Sequence, residues 1–378
     1  MSKLHGMKKI VLIVPAMLCA ILLFGQDKSY STEGNRYFTE AVLQPASADN
    51  NWKTLQQPVS VSFASGNTRY TKEKVPHITI RKSWSTTAWK GEKVHTQVLV
   101  WTTQPIEQLT CVPGKLKNSR GETIPAENIK TGFIRYVITD EFAGGCGHRK
   151  PADFDSSLAP DAIDIIPAIP VNANSVQPVW LSIQIPQEAT AGNYKGSITI
   201  KADKAYTLHY TVEVTDRVLP APDQWTFDLD LWQHPAAIAR VHEVPLWSDR
   251  HFELMKPYYT LLASAGQKNI TASIMDEPWG HQTYDDFPGL VKWIKHKDGS
   301  WTYDYSLFDK YVDFVMSCGI SKRINCYTMV PWALSFRYFD EAAGKDTVLK
   351  APIGSAEYTA HWTGMLKDFT QHLKRKGW

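Results

Sequence analysis

Seven residues, Arg217-Val-Leu-Pro-Ala-Pro-Asp223, divide the chain into two parts with different hydrophobic periodicities. Proline at 220 and 222 blocks both helix and strand ladder, so residues 217–224 read as a stiff linker. Before them the signal is β. Val59–Phe63, His77–Ile80, Val94–Trp101 and Gly132–Ile138 are short runs, branched or aromatic and partly alternating. Val179–Ile185 is followed by two strictly alternating segments, Tyr194–Lys201 and Tyr206–Val214, joined by the hairpin-length loop Ala202–Ala205. Short strands at regular spacing predict an all-β antiparallel sandwich over residues 26–216. Between Asp140 and Asp161 a long Gly-, Asp- and Pro-rich stretch reads as a surface loop.

After the linker, strand and helix patterns alternate. Thr226–Trp232, Ile270–Met275 and Arg323–Met329 read as strands. Residues 250–265 read as a helix with Phe252, Leu254, Tyr258, Leu261 and Leu262 apolar, and Ser306–Cys318 as a second. A hairpin-like insertion (Val291–Ile294, Asp298-Gly299, Trp301–Tyr303) interrupts the series. The last helix, roughly 356–376, carries Trp362, Leu366, Phe369 and Leu373 at helical spacing. Lys374, Arg375 and Lys376 complement its dipole, and Gly377 stands where a C-cap glycine belongs. Strand–helix repetition means parallel strands with right-handed crossovers. Residues 225–378 therefore read as about three βα units of an incomplete (β/α) TIM-type barrel, whose next element, a strand, is expected past Trp378.

Composition narrows the function classes. The formal charge of +3 includes Lys3, Lys8 and Lys9 at the start of the chain, so the remainder is near neutral. That argues against a nucleic-acid partner, which needs clustered Lys and Arg. Fourteen Trp, 16 Tyr and 14 Phe make the chain aromatic-rich. Most of these rings fit a core, and a few fit the apolar C–H face of a pyranose, so both readings stay open.

Residues 1–25 read as a secretory signal peptide, with Lys3, Lys8 and Lys9 as the basic segment and Ile10–Phe24 as the apolar one. No second apolar span follows, so the expectation is an exported protein with no membrane span after cleavage. Leu18 and Pro15 argue against lipidation at Cys19. Of the other cysteines, Cys111 and Cys146 are candidates for a disulfide, and Cys318 and Cys326 read as buried small hydrophobes. Their spacing fits no metal site, and neither metal nor cofactor is expected.

The three strand ends carry the chemistry. They read Asp230-Leu-Trp232-Gln-His234-Pro235, Met275-Asp276-Glu277-Pro278-Trp279-Gly280 and Tyr327-Thr-Met-Val-Pro331-Trp332. Each has a Trp and a Pro, and two have acids. In a TIM barrel these ends form the catalytic face. Asp230, Trp232, His234, Trp279, Tyr327 and Trp332 are the candidate substrate-binding residues. Acids beside stacking rings suit glycoside hydrolysis, which needs a proton donor and a stabilised oxocarbenium-like centre. Rings and prolines that only pack a barrel rim are the plainer alternative. Asp276-Glu277 is the obvious acid pair, although consecutive strand residues point to opposite faces unless the strand has already ended. The chain has no G-x-S-x-G nucleophile elbow, which disfavours an esterase.

The order of motifs resembles glycoside hydrolase family 123 and its relatives in gut Bacteroidetes. The likeness rests on Ala88-Trp-Lys-Gly-Glu-Lys-Val94, Pro160-Asp-Ala-Ile-Asp164 and Thr190-Ala-Gly-Asn-Tyr-Lys-Gly-Ser-Ile198 in the first part. In the second it rests on Met275-Asp-Glu-Pro-Trp-Gly280, Phe308-Asp-Lys-Tyr311 and Ile324-Asn-Cys-Tyr327. The resemblance implies a signal peptide, an N-terminal sandwich and a catalytic (β/α)8 barrel. It further implies a β-N-acetylhexosaminidase, N-acetylgalactosaminidase-like, acting on a glycan with a 2-acetamido sugar in the periplasm or at the surface of a Gram-negative bacterium. In such substrate-assisted enzymes an Asp-Glu pair ends the fourth barrel strand; the Glu is the general acid and the Asp orients the attacking 2-acetamido group. Three strands are counted here, so the dyad is expected beyond Trp378 and these residues are expected to be inactive. Asp276 and Glu277, on the second strand, are then only the fallback pair, with substrate contact their expected task. The alternative from another class is a non-catalytic carbohydrate-binding or surface scaffold protein.

Overall fold

A computed structural model describes residues 40, 49–139 and 157–378. The expected signal peptide, Cys146 and most of the Asp140–Asp161 loop lie outside these residues.

Among the described residues twelve strands precede the linker. They are β1 (Val59–Ala64), β2 (Ser83–Lys90), β3 (Lys93–Thr102), β4 (Ile106–Pro113), β5 (Leu116–Lys117), β6 (Thr123–Ile124), β7 (Ile129–Thr139), β8 (Ser157–Asp164), β9 (Ala168–Val171), β10 (Ser175–Gln184), β11 (Gly192–Lys201) and β12 (Ala205–Val218). One sheet has the order β1-β3-β10-β7-β8, the other β2-β12-β11-β4-β9 with β5 and β6 appended. The alternating segments pair as their pattern requires: Ile198 faces Leu208 and Ile200 faces Tyr206, all four in the core or packed against it. Val59, Val61, Val98, Val100, Leu181 and Ile183 from the first sheet meet them, giving a core of mainly branched aliphatic side chains. The antiparallel expectation fails at one pair, β2 with β12, which is parallel. These strands lie far apart in sequence, so no hairpin turn dictates their direction. β12 runs on to Val218, so the first linker residues belong to the ladder.

Beyond the linker come α1 (Pro235–Val241), α2 (Asp249–Ser264), β13 (Asn269–Ser273), β14 (Lys292–Lys295), β15 (Trp301–Asp304), α3 (Ser306–Ser317), β16 (Arg323–Tyr327), β17 (Ser335–Asp340), β18 (Lys345–Lys350) and α4 (Ala356–Lys376). Ser248 caps α2 and Ser355 caps α4, each accepting from the backbone N–H three residues on, and Gly377 ends α4 at φ 76°. The parallel pair β13–β16, in register from Asn269 opposite Arg323 to Ser273 opposite Tyr327, is what the described residues hold of the expected parallel barrel.

The expected first strand, 226–232, meets β13 at a single bridge, Leu229 with Gln267. Side-chain amides replace the ladder. Gln267 accepts from Leu231 N–H at 2.8 Å, Thr271 N–H donates to Gln233 Oε1 at 2.7 Å, and Gln233 N–H donates to Thr271 Oγ1 at 3.1 Å. A carboxamide offers the same donor and acceptor as a peptide, which is how this segment stays docked without being a regular strand.

Two hairpins, β14–β15 and β17–β18, join through the parallel contact of β14 with β17 into one four-stranded sheet, of which only the first hairpin was expected. Helix faces also shift from the expected ones. In α2 the buried residues are His251, Phe252, Met255 and Tyr259, while Tyr258 and Leu261 are exposed. In α4 Met365 is buried and Leu366 is on the rim. This second core is built largely of rings: Phe252, Tyr259, Trp293, Phe308, Tyr311, Phe336, Trp362 and Phe369. Among the described residues no helix is long and apolar enough to cross a membrane. Cys111 is a free thiol packed against the sandwich core, where burial pushes it up to about 12. Cys318 is buried and Cys326 half-buried, both as free thiols.

Candidate functional site at the strand ends

Period-two alternation sets the site. Asp228, Asp230 and Trp232 share one face of the extended first segment; Arg323, Asn325 and Tyr327 share the corresponding face of β16. They meet across β13 in three steps. Arg323 pairs with Asp228, which also accepts from Asn269 Nδ2 at 3.3 Å. Asn325 Nδ2 donates to Asp230 Oδ2 at 2.8 Å. At the C-terminal end the rings of Trp232 and Tyr327 meet edge-on, centroids 5.4 Å apart. Ion pair, amide–carboxylate and ring contact thus climb from the linker end of the strands toward their C-terminal ends.

Trp279 completes the top. It stacks on Trp232 at 4.9 Å and 22°, and touches Tyr327 at 5.1 Å and Phe287 at 4.6 Å. Its role is support, for it is only 9% exposed, whereas Trp232 is 58% exposed and presents the open ring. Burial, aided by the Asp230 charge, raises the Tyr327 phenol, so it is a neutral donor over the ordinary pH range.

The other candidates go elsewhere. His234 caps α1, accepting from Ala237 N–H at 3.3 Å, and lies edge-on to Phe287 at 4.3 Å. Its Nδ1 is therefore the acceptor and Nε2 carries the proton, buried without a partner among the described residues. Trp332 is 67% exposed, and its backbone N–H donates to Pro278 C=O of the second strand end at 3.1 Å.

Asp276 and Glu277 both fold the loop that follows β13. Glu277 accepts from Phe287 N–H on one oxygen and from His281 N–H on the other, at 2.9 Å for the latter. Asp276 Oδ1 accepts from Gly289 N–H at 2.6 Å, and Oδ2 lies 3.4 Å from Arg337 Nε. Gly289 is obligatory there: a Cβ would come within 2.9 Å of the Met275 carbonyl carbon and 3.1 Å of Asp276 Oδ1. Glu277 holds φ 49°, a left-handed conformation unusual outside glycine, so the turn and its carboxylate contacts form one unit. The two carboxylates diverge, as expected of neighbours at a strand end, and neither stands free above the rings. Glu277, His281 and Asp286 cluster closely enough to hold a cation, but hydrogen bonds and charge pairs within the cluster account for the arrangement.

Sequence reasoning missed Asp228, Arg323, Asn325, Gln233 and Phe287. The two-residue spacing of 228, 230 and 232 against 323, 325 and 327 was the available signal for the first three.

Two family models match the chain. Glycoside hydrolase 123, catalytic domain, matches residues 232–378, and the glycoside hydrolase 123 N-terminal domain matches residues 63–202. A solved family 123 glycoside hydrolase from Clostridium perfringens, described for glycolipid glycan hydrolysis, is 28% identical with a TM-score of 0.78. That match covers 85% of this chain and 57% of the enzyme, so the chain spans little more than half of that protein's length. The chain belongs to glycoside hydrolase family 123. The major subunit of Myf fimbriae from Yersinia enterocolitica aligns at 10% identity over 42% of this chain and 99% of its own, with a TM-score of 0.22, too slight a likeness to bear on fold or function. No curated protein sequence matches.

Proposed function

We propose that residues 225–378 are the opening βα units of a glycoside hydrolase barrel that acts on 2-acetamido sugars as a β-N-acetylhexosaminidase, N-acetylgalactosaminidase-like, with the substrate's own acetamido group as nucleophile. The observation that carries this reading is the ring triad of Trp232, Trp279 and Tyr327 at the C-terminal strand ends, with the open Trp232 ring beside the Asp230–Asn325 pair. A pyranose stacks its C–H face on such a ring, while the amide and carboxylate below take its hydroxyls. Tyr327 contributes a neutral hydroxyl donor at the same place.

Asp276 and Glu277 are poor candidates for the acid and the orienting base. Their oxygens already accept from the amides of Phe287, His281 and Gly289, and a proton donor must be able to reach the leaving oxygen. The proposal therefore assigns acid catalysis to residues past Trp378 and gives residues 1–378 sugar binding without turnover. Export to the periplasm or cell surface is part of the same reading, supported by the basic and apolar pattern of residues 1–25.

The test is calorimetry of residues 1–378 with N-acetylgalactosamine, together with hydrolysis of a chromogenic N-acetylgalactosaminide. Weak binding reduced about tenfold by Trp232→Ala, with no turnover, is the expected result. Clear turnover abolished by Glu277→Gln would overturn the assignment of the acid.

A further inference from the structure

A second cavity is lined by none of the strand-end residues. It is a groove of about 660 Å³ in the sandwich. It is lined by residues of β1, the edge of one sheet, and of β2, the edge of the other. Such a volume lies within the ~300–1,000 Å³ of small-ligand clefts. Strands β1, β2 and β3 and the loop between the first two form its walls, and exposed loops on a rigid scaffold are where binding residues concentrate.

Its lining has a definite chemistry. Trp84 and Tyr70 provide half-buried rings, and Ser65, Asn67, Thr79, Ser83 and Ser85 provide exposed hydroxyl and amide groups. His95, exposed and stacked on Trp180 at 4.6 Å and 20°, presents a ring edge held at a fixed angle. Among the described residues no Asp or Glu lines the groove; the ionisable side chains there besides Tyr70 are Arg81 and His95. Arg81 is tied down through its backbone, its N–H donating to Ser62 Oγ at 2.8 Å and its C=O accepting from Phe63 N–H at 2.9 Å. Its guanidinium has no ion-pair partner among the described residues.

From these residues we infer that the groove binds a carboxylate-bearing sugar, a uronic or nonulosonic acid residue of a glycan, separately from the site at the strand ends. The Arg81 fork takes the sugar carboxylate, for which its geometry is suited, and the hydroxyl and amide groups take the ring hydroxyls. Trp84 and Tyr70 supply the faces on which a pyranose packs. A neutral sugar satisfies the rings and hydroxyls but leaves the guanidinium with water alone. A simple anion satisfies the guanidinium and leaves the rings bare. Only an acidic sugar uses both sets.

The test is calorimetric titration of the full chain with methyl β-glucuronide, methyl α-N-acetylneuraminide, the neutral isostere methyl β-glucoside, and inorganic sulfate. At least one acidic glycoside is expected to bind about tenfold tighter than the glucoside and than sulfate, and which one does so distinguishes the two acid classes. Arg81→Gln is expected to abolish that preference and Trp84→Phe to weaken it a few-fold, while circular dichroism stays unchanged for both. Trp232→Ala is expected to leave it intact, so this site and the strand-end site fail independently. Equal binding of glucoside and glucuronide, no binding of either acid up to about 20 mM, or an Arg81→Gln protein that keeps the preference would overturn the proposal.

Discussion

The two parts of this chain solve the same burial problem with different materials. The sandwich buries Val, Ile and Leu from strands paired into two sheets. The part after the linker buries rings, and it docks its first segment with glutamine side chains. Aliphatic side chains on two pleated sheets interdigitate with few polar demands. Rings bring N–H and O–H groups that each need a partner, and here some lack one: Trp362 Nε1 and His361 Nδ1 are buried without a partner among the described residues. Where Tyr259 and Tyr311 meet, their hydroxyls satisfy each other at 2.8 Å. Among the described residues the sandwich has one such unpartnered atom, Trp101 Nε1, and the part that carries the strand-end site has five.

Core truncations test most sharply whether the two parts are independent. Leu181→Ala removes a fully buried sandwich side chain and is expected to cost about 2–5 kcal/mol. Phe308→Ala does the same after the linker, at about 3–5 kcal/mol. Hydrogen exchange followed peptide by peptide should loosen only residues 59–218 in the first variant and only residues 235–376 in the second. Loosening that spreads across the linker in either case would break the comparison.

Acid should separate the halves more gently. His361, stacked on Trp293 at 4.3 Å and 13°, is held by burial to a value of about 4, against about 6.5 in an unfolded chain. The unfolded state therefore binds the proton first as pH falls. Stability of the second half should decline between pH ~6.5 and ~4, by at most ~1.4 kcal/mol per pH unit, and level off below that range. Denaturant melts across this window, with His361→Gln losing the slope, check the effect. A slope unchanged in the variant would remove His361 from the account.

The smallest expected effect is local. Glu277→Gln keeps one acceptor for the loop amides and loses the charge, costing about 1 kcal/mol. Exchange should quicken in residues 278–287 and nowhere in the sandwich. An unaltered loop would mean that the turn at φ 49° is held by other contacts.

Much of this was legible in the linear order of residues. Alternation located β11 and β12, and helical spacing with Gly377 as C-cap located α4, whose N-cap the structure adds as Ser355. Trp232, Trp279 and Tyr327 were singled out as strand-end residues, and they come together. The segment 226–232 misled because its alternation is that of a strand, yet its partner contacts run through Gln267 and Gln233. Tyr258 and Leu261 misled because an apolar residue on a helix reports a face, and which face meets the core depends on what packs there. The β17–β18 hairpin escaped because its exposed charges obscure the alternation.

By itself the sequence determined a strand-rich first part, the limits of α2, α3 and α4 to within about a residue, and the family to which the chain belongs, while α1 went unread. Those depend on local periodicity, capping and motif order, all of which are written within a few residues of one another. Tertiary structure alone decided that Trp232 is the open plate and Trp279 its support, that Glu277 is consumed by its own loop, and that Arg81 lines a groove with no carboxylate among the described residues. The physical reason is that exposure, partnership and charge environment belong to groups brought together from distant positions, and no short-range pattern records which groups those will be.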